Sequence, residues 1–454
     1  MEKQTERINL PSAIGGIHQM GLHAVLFPYT DDRSLQRALK SLTHVQHALN
    51  CVTVLRREEQ RDLPLHTLTN SLSIPVTTHF LNGDWQRTPH LPHEPNDIFL
   101  FLHDEDFVST PLPDIVQAWP DHLEVVTCPS TAYSPIYKRS LLVRAQTYEA
   151  HGAHFGHLLY SDSEAGLAAC LSQLEPHQIL HLDVPIVRQT RRRNSRFYPD
   201  RIAYLTHLSS AGATSSDLSL PTVGVLLAAY QASTTIDTAL SSLASQRVSA
   251  SEILMVDDGS QDDTAPRIET WLPKLQNARL IRAPENQGKA QALNMLVPYI
   301  SSDFVMELDA DDWLDPFAIA TIQQLVSQVS LETSLLYGNF RVWIKRMHTL
   351  QLAGVNRGRQ VYQPRELLTY PLPLGPRIYR TSALKAIGGF PVPTFADGRL
   401  YEDVLVTRNL MRQGAIRYED FTVYNVLRHA DSITRQHQHA WSRFVELYQR
   451  DFHS

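Results

Sequence analysis

Two acidic clusters in the second half of the sequence could do chemistry, and each follows an apolar run of strand length. Asp257-Asp258-Gly259-Ser260 comes directly after Ile253–Val256. Two acids at a strand end, then a glycine free to turn, set a carboxylate over a sheet edge. There it can accept hydrogen bonds from a uracil N–H or a ribose hydroxyl. A plain Asp-Gly turn has the same letters, so this cluster alone decides little. Asp309-Ala310-Asp311-Asp312 follows Phe304–Leu308. Three acids in four residues repel one another and are costly without a cation. Oxygen-only ligands suit Mg2+ or Mn2+, which commonly bridge a carboxylate and substrate phosphates; a solvated acidic turn is the alternative. Further on, Glu402-Asp403 is either a helix N-terminal pair that suits the macrodipole or a place for a proton-accepting carboxylate.

The elements that must position these acids can be read from periodicity. Val223–Ala229 is a continuous apolar run. Thr234–Ser245 carries Ile236, Ala239, Leu240 and Leu243 at helical spacing, with Thr234 and Asp237 placed as a capping box. Ile253–Val256 is a second strand, Asp263–Trp271 a helix, Leu280–Ile281 a short strand and Lys289–Val297 a helix. Phe304–Leu308 is a further strand, and a helix starts at Pro316. This alternation predicts a parallel α/β sheet with helices on both faces and ligands beyond the carboxyl ends of its strands. Ser209–Leu220, rich in small and hydroxyl residues without periodicity, reads as a linker. The expected division is residues 1–208, a linker at 209–220 and a second domain at 221–454.

Tyr230 at the first strand end, Asp257-Asp258-Gly259-Ser260, Glu285-Asn286-Gln287-Gly288-Lys289 and Asp309-Ala310-Asp311-Asp312 occur in an order that resembles family 2 glycosyltransferases. The resemblance covers Pro221 to about Arg435. It implies a GT-A fold (Rossmann-like, of the nucleotide-diphospho-sugar transferases), and most members of the family invert the anomeric carbon. It also implies roles. Tyr230 stacks near the nucleobase, and Asp258 with its neighbour Asp257 recognises the base. Asp309 and Asp311 form a DxD motif for Mn2+ or Mg2+, with Asp311 the metal ligand and Asp309 towards the ribose or the metal. Lys289 reaches a phosphate or the sugar, or is a solvated lysine at a helix start. Gly375–Arg380 and Ile387–Phe390 resemble the segment that shapes the donor-sugar and acceptor pocket. Tyr401-Glu402-Asp403 resembles the ED motif, which makes Asp403 the general base and places Glu402 beside the donor. Leu427-Arg428-His429 with Ser432 resembles a late segment that closes over the diphosphate, so His429 is a candidate metal ligand or a structural histidine. Gln231 stands where the family commonly has Asn, and Ala228 where it has Thr or Pro; both blur donor specificity.

The first half repeats parts of this pattern. Tyr29, Ala38, Leu39, Ser41 and Leu42 match Tyr230, Ala239, Leu240, Ser242 and Leu243 without a gap. Val52–Leu55 falls at the second strand, and Asp97–Leu102 with His103-Asp104-Glu105-Asp106 at the strand and DxD. Ile136-Tyr137-Lys138 parallels Ile378-Tyr379-Arg380, and Tyr160-Ser161-Asp162 parallels Tyr401-Glu402-Asp403. Arg56 and Arg57 replace Asp258 and Gly259, Gln189 replaces His429, and no Gly-Gly-Phe is present. The expectation is a degenerate, inactive GT-A-like copy from about residue 20 to 208. Arg191-Arg192-Arg193 with Arg196 is a basic run, read as solvated or as facing an anionic acceptor or lipid surface. His151, His154 and His157 have helical metal spacing but no partner acids of obvious role.

Composition narrows the classes. A net charge of -6 over 454 residues gives no global reason to expect nucleic-acid binding. No apolar run approaches the ~20 residues of a membrane span, the polar N-terminus lacks a secretory pattern, and 3 cysteines make no disulfide framework. The expected location is cytoplasmic, with peripheral attachment at the inner face of the membrane as an option. The expected partners are a UDP-sugar donor and a glycan or lipid-linked saccharide acceptor. A glycan-binding or scaffolding pseudoenzyme of the same fold is the alternative. Nucleotidyl transfer would need a Gly-rich basic loop that Tyr230-Gln231-Ala232-Ser233 does not offer.

Overall fold

The computed structural model describes residues 21–27, 29, 32–57, 72–81, 91, 93–94, 96–103, 106–109, 119–129, 138–152, 167–168, 170–171, 173–189, 204–205, 208, 220–346, 349–370, 373–428 and 440–452. Most of the expected linker, the basic run Arg191–Arg196, Tyr160-Ser161-Asp162, Asp104, Glu105 and His429 lie outside the described residues, as do the side chains of His151, His154 and His157. The chain divides into two compact units, residues 1–83, 89–149 and 174–192 in one and 84–88, 150–173 and 193–454 in the other. Tyr204, on the first-half side of the expected linker, belongs to the second unit, where its ring lies against Arg341 and Trp343.

In the first unit, β1 (Leu22–Leu26), β2 (Leu49–Arg57), β3 (Val76–Leu81) and β4 (Ile98–Leu102) run parallel. β5 (Asp106–Val108) pairs apart with a strand at Val187–Gln189, here β9. β6 (Val125–Pro129) and β8 (Ile179–His181) are parallel to each other, and β7 (Lys138–Arg144) is antiparallel to both β4 and β6. The sheet order is β3-β2-β1-β4-β7-β6-β8. Helix α1 (Asp32–Leu42) buries Leu35, Ala38, Leu39 and Leu42 on it, the helical stripe that the sequence displays.

The second unit repeats that plan at larger size. β10 (Val223–Ala229), β11 (Ile253–Asp257), β12 (Ala278–Arg282) and β13 (Phe304–Glu307) are parallel. β14 (Trp313–Leu314), β15 (Thr333–Arg346), β16 (Thr349–Asn356), β17 (Arg377–Arg380) and β18 (Ala415–Arg428) complete the sheet. The order is β12-β11-β10-β13-β17-β15-β18-β14, with β16 paired to β15. β17 is antiparallel to both β13 and β15, while β15 and β18 are parallel. The sheet is therefore mixed, not the parallel sheet expected. The crossover rule governs only strands joined through helices, and β15–β16 is a hairpin whose strands cannot run parallel. Strand for strand, β3-β2-β1-β4-β7-β6-β8 and β12-β11-β10-β13-β17-β15-β18 share one order and one set of directions.

β10 is buried on both faces, which is why it reads as an unbroken apolar run. Val223, Val225 and Leu227 enter one core with α2 (Ile236–Ala244), α3 (Thr264–Trp271) and α5 (Ala318–Val326). Leu226 enters the other with α4 (Lys289–Leu296), α6 (Thr381–Ala386), α7 (Glu402–Met411) and α8 (Ala440–Tyr448). Each such side chain contributes about 1.5–3 kcal/mol of burial. The expected capping box is absent: α2 begins at Ile236 after Thr235, with no side-chain cap. Asp237 instead accepts from Arg267 Nη1 and Trp271 Nε1 of α3, both at 2.7 Å, an ion pair and a buried indole N–H that outbid a backbone amide. No helix among the described residues is long and apolar enough to cross a membrane.

Candidate active site

The carboxyl ends of β10, β11 and β13 share one edge. Ala229 stands opposite Asp257, the Asp258 N–H donates to Ala229 O at 2.8 Å, and the Leu308 N–H donates to Leu226 O at 2.9 Å. Tyr230, the Asp257-Asp258 pair and the acidic run after β13 therefore leave the sheet side by side. Tyr230 is 48% exposed, an open aromatic face at the strand end. The two aspartates differ. Asp258 takes the N–H groups of Gln287 and Gly288, each at 2.9 Å, one on each oxygen, and so pins the turn that starts α4. Asp257 is equally buried, yet its Oδ1 has no hydrogen-bond partner. Gly259 follows at φ 71°, and a Cβ there would stand 2.5 Å from the Glu285 carbonyl carbon. Only glycine lets these two turns close.

From that turn Lys289 reaches across to β13. Its Nζ lies 2.6 Å from Glu307 Oε1 and pairs with Asp309. Burial opposes its charge, but Asp309 and Glu307 more than offset this and hold the ammonium well above its ordinary pKa. Burial, then the Asp309 charge, pushes the Asp311 carboxyl up to about 6. Burial with the charges of Asp311 and Asp309 also pushes Asp312 up, and Asp312 accepts the Leu427 N–H at 2.9 Å, tying the acidic loop to β18. The Asp309 N–H is held by the Tyr424 hydroxyl at 3.0 Å. Asp309, Asp311 and Asp312 stand together at this edge and offer oxygen ligands only, a chemistry that fits a hard divalent cation. Among the described residues no group of three or more His, Cys, Asp or Glu is set to hold a metal.

The third acidic motif opens α7. Tyr401, left-handed at φ 65°, turns the chain so that Glu402 and Asp403 start the helix. Burial, and next the Asp403 charge, pushes the Glu402 carboxyl up to about 7. Asp403 Oδ2 lies 3.6 Å from Arg377 Nη1. Arg377, at the start of β17, in turn grips Glu307 through Nε at 3.1 Å and Nη2 at 2.9 Å, and the Tyr379 hydroxyl donates to Glu307 at 2.9 Å. The structure so brings Lys289, Asp309, Glu402 and Asp403 around Glu307 and Arg377. The sequence reading assigned no part to Glu307. Its signal was visible: one acid inside a buried apolar strand needs a counter-ion. The Gly388-Gly389-Phe390 segment serves the framework, because Phe390 N and O bracket the Asn294 amide at 2.7 and 2.8 Å and its ring is buried.

Residues 224–369 match the model of "Glycosyl transferase family 2". This stretch is a family 2 glycosyltransferase domain. The family 2 match takes in Tyr230 through Asp312 and ends before Arg377, Glu402 and Asp403. Similar curated proteins include the Bacillus subtilis glycosyltransferase EpsH, 32% identical over 120 residues, which are 26% of this chain and 34% of that one. Poly-beta-1,6-N-acetyl-D-glucosamine synthase of Staphylococcus aureus is 39% identical over 90 residues, 20% of this chain and 22% of its own length. The chain thus spans about a third or less of these curated relatives. Among solved structures, S. aureus TarS in complex with UDP aligns with a TM-score of 0.35 and 22% identity, over 46% of this chain and 60% of that one.

Proposed function

We propose that the second half of the chain is a GT-A-type inverting glycosyltransferase that moves a sugar from a nucleotide-diphosphate donor, a UDP-sugar, to a hydroxyl of a glycan or lipid-linked saccharide. The observation that carries this reading is the convergence, at one sheet edge of a family 2 domain, of the Asp309/Asp311 pair with Glu402-Asp403. In this reading Tyr230 stacks on the base, and the unpartnered Oδ1 of Asp257 accepts from the base or ribose. Asp258 holds the turn that presents Lys289 to the diphosphate. Asp309 and Asp311 would hold Mn2+ or Mg2+, which when bound offsets the charge growing on the leaving diphosphate. Asp403 takes the proton of the acceptor hydroxyl as its oxygen bonds to the anomeric carbon and the bond to the diphosphate oxygen breaks. The electron pair of that bond leaves on the nucleoside diphosphate. Glu402, whose carboxyl burial pushes up to about 7, carries less than a full negative charge beside the base near neutral pH.

The first half is proposed as a degenerate copy of the same fold. The shared strand order and directions support this. The end of β2 carries a buried Arg56 where β11 ends in Asp257-Asp258. Asp106 folds back to accept the His103 N–H at 2.7 Å, closing its own turn. The proposed location is the cytoplasm, at the inner membrane face where the acceptor is lipid-linked. The test is UDP release from a panel of UDP-sugars. Asp403→Asn should cut kcat by roughly 10²–10⁴-fold while UDP affinity stays within about threefold. Unchanged turnover would remove Asp403 from the chemistry.

A further inference from the structure

An acid in the middle of a buried strand must be neutralised by its neighbours, and Glu307 has partners from three other positions in the fold. Arg377 and Tyr379 come from β17, and Lys289 comes from the start of α4. Burial opposes the Glu307 charge, but Arg377 and Lys289 overcome it and hold the carboxylate well below its ordinary range. Each cation also reaches a second acid. Lys289 pairs with Asp309, and Arg377 Nη1 stands 3.6 Å from Asp403. Leu374 O accepts from the same Nη1 at 2.9 Å, which fixes the guanidinium plane. The five groups form a line of alternating charge, Asp403–Arg377–Glu307–Lys289–Asp309, from the proton-accepting end of the site to its diphosphate end.

We infer that Glu307 is a positioning residue that couples these two ends. It rests on the transferase reading of Asp403 and Asp309. With its charge in place, Arg377 is held to one side of Asp403, and Lys289 is shared between Glu307 and Asp309. Without it, both cations lose the acid they share. The guanidinium closes on Asp403 and covers the base, and the ammonium is no longer divided between Glu307 and Asp309, which changes the charge at the diphosphate end. Loss of the Glu307 charge therefore disturbs turnover and donor binding together. A purely structural carboxylate would instead lower Tm and leave both quantities unchanged per folded molecule.

The test is a double-mutant cycle on the full chain with Glu307→Gln and Arg377→Lys. It reads UDP release from UDP-N-acetylglucosamine, and UDP affinity with Mn2+ by calorimetry. Glu307→Gln should lower kcat by about tenfold or more and weaken UDP by about threefold or more. Arg377→Lys should lower kcat alone, and the double variant should fall within about twofold of the worse single one. Wild-type kcat and UDP affinity in Glu307→Gln, or losses that multiply in the double variant, would overturn the inference. Should Glu307→Gln fail to fold, Glu307→Asp, which keeps the charge at shorter reach, is read on the same two quantities. Loss of both supports the coupling, and loss of neither overturns it. Asp403→Asn separates the two readings. If it is inactive while Glu307→Gln is normal, only the coupling falls; if Asp403→Asn turns over normally, the assignment of the base falls with it.

Discussion

At the scale of single residues, the site works by making chemically identical side chains unequal. Asp257 and Asp258 are neighbours, yet one spends both oxygens on backbone amides and the other keeps an oxygen unpartnered. Beside Asp403, burial and then the Asp403 charge push the Glu402 carboxyl up to about 7 from 4.5. Between those two values the folded protein holds a proton on Glu402 that the unfolded chain has released. The contribution is thus present at low pH and lost as pH rises through the folded value. Between about pH 5 and about pH 8, wild-type Tm should therefore fall more than that of Glu402→Gln. Equal falls, measured by thermal unfolding in matched buffers, would contradict the environment assigned to Glu402. Residue types were the easiest part to read from the sequence, since the acidic runs announce themselves. Which acid of a pair stays open to a ligand was not legible, because it depends on amides supplied by a turn 29 and 30 residues away.

At the scale of elements, the first four strands of the second unit were legible to within a residue or two. Two-sided burial writes β10, β11 and β13 as apolar runs, while the edge strand β12, only partly buried, shows as the short Leu280–Ile281 pair. β15 and β18 were not legible, since β18 mixes buried and exposed positions without a regular period. The capping box failed because Asp237 found partners on another helix, a tertiary contact that local pattern cannot foresee. Glycines divide in the same way. A Cβ at Gly259 would meet backbone at 2.5 Å, whereas Gly388, at φ 81°, has nothing within 4 Å. Gly388→Ala should cost only the left-handed strain, about 1–2 kcal/mol. Gly259→Ala should cost more, roughly 3 kcal/mol or above, and weaken UDP binding, because the Glu285 turn must move. Denaturant unfolding of both variants checks this; equal costs would show that the two turns do not press on each other.

At the scale of the whole molecule, one order of strands occurs in both units, and the family 2 match lies in the second. The sequence hinted at the repeat through Tyr29, Ala38, Leu39, Ser41 and Leu42, which are core and strand-end positions. In the proposed reading of the first half as a degenerate copy, packing keeps such core positions, while Arg56 and Arg57 stand in place of the site letters. Donor should accordingly saturate one site per chain. The most direct test of the account is calorimetric titration of UDP-sugars into the full chain with and without Mn2+, repeated with Asp311→Ala. The account predicts one site per chain for at least one UDP-sugar, dependent on Mn2+ and lost in Asp311→Ala. Binding that ignores both the metal and Asp311, or no binding by any UDP-sugar, would contradict it.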